Sequence, residues 1–303
     1  MKQLAKQKPA DAPLFDDLGL TVASREPLAH HTWLGVGGEA RYFCEPVDID
    51  ALSRLVIRAR ETGIALRMIG GGSNILIPTA GFDGMIVRLS APAFSTIEVR
   101  NTSVIAGAGA KLVHVVCAAV QAGLSGIETL VGIPGTIGGA LVGNAGGHGG
   151  DLGESVKEVT VMLPTGQLAV RRGTELAFQS RWSNLDDCIV IGCQLDLDED
   201  SAELLTKRMQ KQWIVGRSEQ PSGTRTVAMM FKDPHGTSAE SLITQAGAKD
   251  LRVGEAMVYA AHANYVVVFP KCSSDDVRLL VELVRSKVRE RLGVELTPQI
   301  EVW

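Results

Sequence analysis

The sequence predicts an α+β chain of more than one domain. Three observations predict it. The length, 303 residues, exceeds that of a typical single domain and suggests two, or one large unit with subdivisions. The glycine run Gly70-Gly71-Gly72-Ser73-Asn74 follows an apolar strand but leads into Ile75-Leu76-Ile77-Pro78, which is strand-like and then broken by proline. The phosphate loop of a doubly wound sheet should open a long helix instead. After the acidic cluster at 196–203 (DLDEDSAE) the rhythm changes to an α+β pattern of its own.

Taken in order, the N-terminal segment is a polar arm without the apolar region of a secretory signal. A short strand is expected at 41–45. Asp48 is placed to cap a helix over 49–62, where Leu52, Leu55, Val56 and Ala59 recur at helical spacing, and Gly63 ends it. Strands are expected at 64–69, 85–89, 96–100 and 103–106, then a helix at 111–121 ended by Gly123. Strands at 156–163 and 167–170 flank a Pro164-Thr165-Gly166 turn, and 189–197 is another strand. The acidic cluster marks a boundary and caps a helix from Ala202 to about Arg217. Helices at 238–247 and 275–292 and strands at 265–269 and 295–302 complete the chain. Helix 275–292 carries Val277, Leu280, Val281, Val284 and Val288 on one stripe.

The stretch 131–150, VGIPGTIGGALVGNAGGHGG, organises the chain. Nine of its twenty residues are glycine. Glycine loses the most conformational freedom on folding, so such a run is costly to order. Val131, Ile133, Ile137, Leu141 and Val142 want burial, unlike the residues of a Gly/Ser linker. A ligand that needs bare backbone N–H groups, such as a phosphate or a flavin ring edge, supplies the offset.

Composition excludes several classes. A net charge of −4 gives no reason to expect nucleic acid or an anionic membrane as partner. No apolar run reaches the ~18 residues of a spanning helix. The five cysteines form no metal-ligand spacing and no disulfide framework, so free, mostly buried thiols and a cytoplasmic setting are expected, with no metal.

Three patches together carry a resemblance: 68–77 (MIGGGSNILI), 126–150 (GIETLVGIPGTIGGALVGNAGGHGG) and 261–266 (AHANYV). In this order they closely resemble the UDP-N-acetylenolpyruvoylglucosamine reductases, in their shorter subclass, over nearly the whole chain from about Thr32. The resemblance implies the FAD-binding fold of vanillyl-alcohol-oxidase (PCMH-type) flavoproteins, built as two α+β sub-domains plus a C-terminal α+β substrate domain. The implied spans are a flexible arm at 1–20, FAD sub-domains at 21–95 and 96–203, and a substrate domain at 204–303. It implies non-covalent FAD, with NADPH as a reductant. Gly70, Gly71, Gly72, Ser73 and Asn74, with Ile69 before them, would wrap the pyrophosphate, and consecutive backbone N–H groups suit such a dianion. Gly132, Ile133, Pro134, Gly135, Thr136, Gly138, Gly139, Asn144 and Ala145 would lie along the flavin, with His148 and Val190 as further contacts.

The catalytic positions depart from the pattern. Where the family carries a proton-donating serine, this chain has Met229, and a thioether has no proton to give. The family's C-terminal glutamate is Gln299, which keeps the shape but does not titrate. A tyrosine becomes Ser180, while Arg181 is kept; Met257 and Tyr259 replace smaller or polar residues, and Ala261 replaces a common lysine.

Each remaining candidate has a functional and a plain reading. Arg181 holds a substrate carboxylate through its rigid donor fork, or makes a structural ion pair. Lys232 contacts an anionic substrate or is a solvated lysine, and Asp233 pairs with it. Glu301 lies two residues beyond Gln299, about 6.6–6.8 Å along a strand and on the same face; it takes an acid/base role or is a surface carboxylate. Tyr259 supplies a phenolic proton or lines the pocket. His148 is a base, a flavin contact or a loop histidine. His262 contacts substrate or orders backbone, and Met229 and Met230 form apolar pocket wall.

The expectation is therefore an FAD-dependent oxidoreductase with a remodelled substrate pocket. It would transfer hydride at flavin N5 to or from a small molecule, by C=C or C=N reduction or by dehydrogenation, outside cell-wall synthesis. Two alternatives stand: a genuine NADPH-dependent UDP-N-acetylenolpyruvoylglucosamine reductase with a relocated proton donor, and a non-catalytic flavin-binding protein. A monomer or homodimer is expected.

Overall fold

The computed structural model describes residues 13–147, 149–219 and 227–303. Three main sheets carry the fold. The first runs in the order Val22–Pro27, Glu39–Cys44, Phe82–Val87, Leu66–Met68, antiparallel at the first pair and parallel after it. The crossover helix Ile49–Glu61 begins where Asp48 accepts the Ala51 N–H at 2.7 Å. Its Leu52 and Leu55 are fully buried, as their spacing requires.

The second sheet is antiparallel throughout, in the order Leu168–Arg172, Val156–Met162, Ile189–Asp196, Ser103–Gly107, Ile97–Arg100. Helix Leu112–Gln121 buries Leu112, Val115, Val116 and Ala119. One apolar core joins this layer to the first: Tyr42, Leu55, Val104, Val115 and Val159 all belong to it. Burial within this core pushes the Cys193 thiol up to about 12, so it is inert.

The third sheet is antiparallel, in the order Val227–Met229, Tyr265–Val268, Ala256–Val258, Arg252–Val253. Helices Ala239–Gln245 and Ser274–Leu292 share a second core with it. The stripe Val277, Leu280, Val281, Val284, Val288 is the buried face of the longer helix, which Gly293 ends at φ 70°.

Four features differ from the sequence reading. The N-terminal arm does not extend to residue 20: Pro13–Asp16 is a helical turn, and Phe15 is buried edge-on against Tyr42, centroids 5.3 Å apart. Val22–Pro27 is a strand that no simple alternation announces, since Arg25 sits at φ 55° within it. A boundary at 203 would cut helix Ala202–Glu219, whose Leu205 is buried in the first core and whose Arg208 reaches Asp200 at 2.8 Å and Glu128 at 3.8 Å. The acidic cluster thus starts a helix docked on the first core. Finally, 295–302 is no continuous strand. Residues 297–299 bond to 230–232, and only Glu301–Val302 is a strand, parallel to Ile75–Leu76. The partner changes near Pro298, which has no N–H for a ladder.

Candidate functional site

Two glycine loops face each other at the junction of the three sheets. A Cβ on Gly70 would meet Thr136 Oγ1 at 2.6 Å, and one on Gly71 would meet Gly135 Cα at 2.8 Å. Ser73 Oγ donates to the Pro134 carbonyl at 3.3 Å. Thr136 caps the short helix Ile137–Val142, which the sequence reading missed inside the glycine run. The Ile137 and Gly138 N–H groups bond to Ala110 O and Ala108 O, which seats this helix on the second sheet. Ile69 and Val190 lie buried behind the loops. Gly72, at φ 64°, accepts from Trp33 N–H at 2.9 Å through its carbonyl.

A polar wall supports this corner. His31 stacks on Phe43 with centroids 4.5 Å apart. Arg88 lies 3.0 Å from His31 Nδ1, and because arginine only donates, Nδ1 accepts and Nε2 carries the hydrogen toward Glu26 at 3.0 Å. The same guanidinium, aided by the Ser90 hydroxyl, holds the Glu45 carboxyl below the usual carboxylate range.

Two bridges tie this cradle to the third sheet. On one side Asn74 Nδ2 donates to Gln299 O at 2.9 Å, its own carbonyl accepts from Glu301 N–H at 2.9 Å, and Gln299 N–H bonds to Met230 O at 2.7 Å. On the other side Asn144, 2% exposed, donates to Gln179 O at 2.8 Å and accepts from Gly153 N–H at 2.9 Å. Gln179 opens the hairpin Phe178–Gln179/Trp182–Ser183, and Lys232 Nζ closes the bridge by donating to Arg181 O at 3.1 Å. Arg181 holds φ 58°, a left-handed conformation costly for a side-chain-bearing residue. Its guanidinium has no hydrogen-bond or ion-pair partner among the described residues.

The third sheet has a covered face and an open one. Ala228, Val258 and Val266 point into the second core. The alternate residues Met229, Met257 and Tyr259 point the other way and are half-buried, and Tyr265 joins them. Asn264 fixes the strand end with two buried bonds, accepting from Phe231 N–H at 3.0 Å and donating to Phe231 O at 2.8 Å. Met230 is core and not pocket wall. Gln299 Oε1 is buried with no hydrogen-bond partner among the described residues.

Other candidates fall elsewhere. Glu301 is exposed, 3.9 Å from Arg67, which stacks over the Trp303 ring at 5.3 Å. Asp233 does not pair with Lys232; it accepts the Ala239 N–H at 2.8 Å and so anchors a helix start. His262 has Nδ1 3.6 Å from Glu240, and its carbonyl accepts from Tyr265 N–H at 3.0 Å. His148 lies outside the described residues. Sequence reasoning missed Tyr265, although alternation through Met257, Tyr259 and the 265–268 strand carries a trace of it.

The cradle fits a flat, anionic cofactor. Gly70 is small because the Thr136 side chain packs against it, and Gly71 because the Gly135 backbone does. Gly132 and Gly147 are different: neither has a positive φ, and a Cβ on either would meet nothing within 4 Å among the described residues. The packing of the described residues does not require them to be bare, whereas a ring lying along the loop would. Among the described residues no group of three or more His, Cys, Asp or Glu is gathered as for a metal ion.

Comparison with known proteins agrees with this geometry. Residues 40–170 match the model of an FAD binding domain, and 220–303 match that of a UDP-N-acetylenolpyruvoylglucosamine reductase C-terminal domain. A UDP-N-acetylenolpyruvoylglucosamine reductase of Rhodopirellula baltica is 40% identical, over 95% of this chain and 94% of its own. One from Symbiobacterium thermophilum is 36% identical over 92% and 91%. The crystal structure of the enzyme from Thermus caldophilus superposes with a TM-score of 0.80 at 34% identity, covering 94% of this chain and 98% of that one. A chitooligosaccharide oxidase shares the fold alone, with a TM-score of 0.60 at 12% identity, over 93% of this chain and 87% of its own. The chain belongs to the UDP-N-acetylenolpyruvoylglucosamine reductase family and is an FAD-dependent oxidoreductase of that type.

Proposed function

We propose that the chain reduces the enolpyruvyl double bond of UDP-N-acetylenolpyruvoylglucosamine, with NADPH as reductant, in the cytoplasm. The supporting observation is the 40% identity to a reductase of that name across nearly the full length of both chains. It favours this reading over the remodelled pocket that Met229 and Gln299 suggest. Bound FAD supplies the hydride relay. The chain's own residues do the rest. The glycine loops hold the cofactor by backbone N–H groups. Arg181, held at φ 58° between the two halves, offers a guanidinium fork to the substrate carboxylate. Lys232 fixes the Arg181 backbone, and its charge favours an anionic substrate. Met229 and Met257 wall the reacting carbons from water.

The test is turnover. Beyond the one equivalent that bleaches its flavin, purified holoenzyme should oxidise NADPH only when the enolpyruvyl substrate is added, at about 1–10³ per second. The remodelled reading keeps one observation in its favour, the absence of any titratable group at 229 and 299. It would win if NADPH bleached the flavin and the UDP-linked substrate never restored its colour.

A further inference from the structure

Reduction of a double bond needs a proton as well as a hydride, and Met229 and Gln299 do not supply one. The third sheet offers another source. Met229 pairs with Tyr265 directly across the antiparallel ladder. Tyr259 N–H donates to Tyr265 O at 2.8 Å, which extends the same row by one strand. Directly opposed residues point to one face with Cβ atoms about 4.5–5.5 Å apart. Tyr259, Tyr265 and Met229 therefore form a row on the open face, with the Tyr265 phenol beside the thioether. Both Tyr265 and Met229 are half-buried, neither sealed in core nor fully in water.

We propose that Tyr265 is the proton donor of this enzyme, its phenol replacing the hydroxyl that residue 229 lacks. The proposal rests on the reductase reading above. A hydride delivered from NADPH by way of the cofactor adds to one carbon of the double bond. The π pair moves to the neighbouring carbon, where the carboxylate delocalises it. The Tyr265 Oη–H bond breaks as the new C–H bond forms there, and the phenolate recovers its proton from water. A phenol carries an O–H to give, which a thioether does not. The tyrosine side chain is long enough to reach over Met229 from the next strand. Tyr259 stands a further strand away from Met229, about 4.8 Å more. The one other tyrosine, Tyr42, is buried in the first core.

The experiment uses holoenzyme in three forms: wild type, Tyr265→Phe, and Tyr265→Phe with Met229→Ser. Flavin colour separates the half-reactions, and calorimetry on the oxidised protein reports substrate affinity without turnover. Tyr265→Phe is expected to bleach normally with NADPH and to bind substrate within about threefold of wild type. Its flavin should regain colour on substrate addition about 10²–10⁴-fold more slowly. Met229→Ser in that background should restore about tenfold or more of the rate. Colour returning within about threefold of wild type in Tyr265→Phe would overturn the proposal. So would a loss of affinity that accounts for the whole effect, since the phenol would then be a binding group. Wild-type holoenzyme that never regains colour would instead sink the reductase reading, a separate outcome.

Discussion

The glycine cradle and the third sheet are tied together by hydrogen-bonded bridges, yet the fold dictates them differently. In the cradle the backbone is the working surface. Gly71 lies so close to Gly135 that a methyl group has no room, and exchange there disturbs fold and cofactor together. On the sheet face the backbone only sets register, and chemistry rests with side chains that can be exchanged while the ladder stays intact. A flavin loop is therefore conservative by geometry, whereas a proton donor can move from one strand to the next.

The sharpest test of that contrast uses two glycines. Gly71→Ala drives a Cβ against backbone 2.8 Å away, so apo stability should fall by about 3 kcal/mol and FAD affinity with it. A Cβ at Gly132 meets none of the described residues within 4 Å, so for Gly132→Ala apo stability should change by less than about 1 kcal/mol. FAD affinity of that variant should still fall about tenfold, or about 1.4 kcal/mol. Thermal melts of apo protein and flavin titrations read both. If the two variants melted alike, the distinction between packing glycines and ligand glycines would be lost.

On the other side of the comparison, Asn264→Ala strands the Phe231 N–H and carbonyl in the core. A loss of about 2–3 kcal/mol is expected, seen in chemical denaturation. A change below about 0.5 kcal/mol would show that this strand end is not held from within.

Gln299→Glu should be smaller and pH-dependent. A carboxylate at the partnerless Oε1 site is desolvated without a donor, which raises its pKa above the ordinary range. The folded state then keeps a proton that the unfolded state has released. Stability is equal to wild type at about pH 4 and lower by about 1–2 kcal/mol near pH 8, because it falls as pH rises through the carboxylate range. Equal melting temperatures at both pH values would mean that water or a donor reaches the site. Smallest of all is Glu301→Gln. This exposed group, 3.9 Å from Arg67, should change stability by less than about 0.5 kcal/mol and leave flavin reoxidation within about twofold. A large rate loss would reinstate Glu301 as an acid.

What was legible in the sequence follows the same division. The stripe Val277 to Val288 and the Asp48 cap are local patterns with one structural solution, and they appear as read. The glycine loops were legible because bare backbone leaves a compositional trace. Strand 295–302 misled because its alternation looks continuous, while Pro298 splits it between two partners. Tyr265 was missed for a deeper reason. Its importance lies in being opposite Met229, and register between strands far apart in sequence is settled by tertiary packing. Asn74 was read as a phosphate residue, and nothing nearby in sequence announced that it grips Gln299.

That grip bears on how the protein is assembled. Asn74 and Gln299 are separated by 225 residues. Contacts between such distant segments form late, because the chain must first give up the freedom of everything between them. The loop near the start of the fold therefore waits, unclasped, until the final strand is made and docked beside it. The expected order is that cofactor capture closes the folding of this protein and does not seed it.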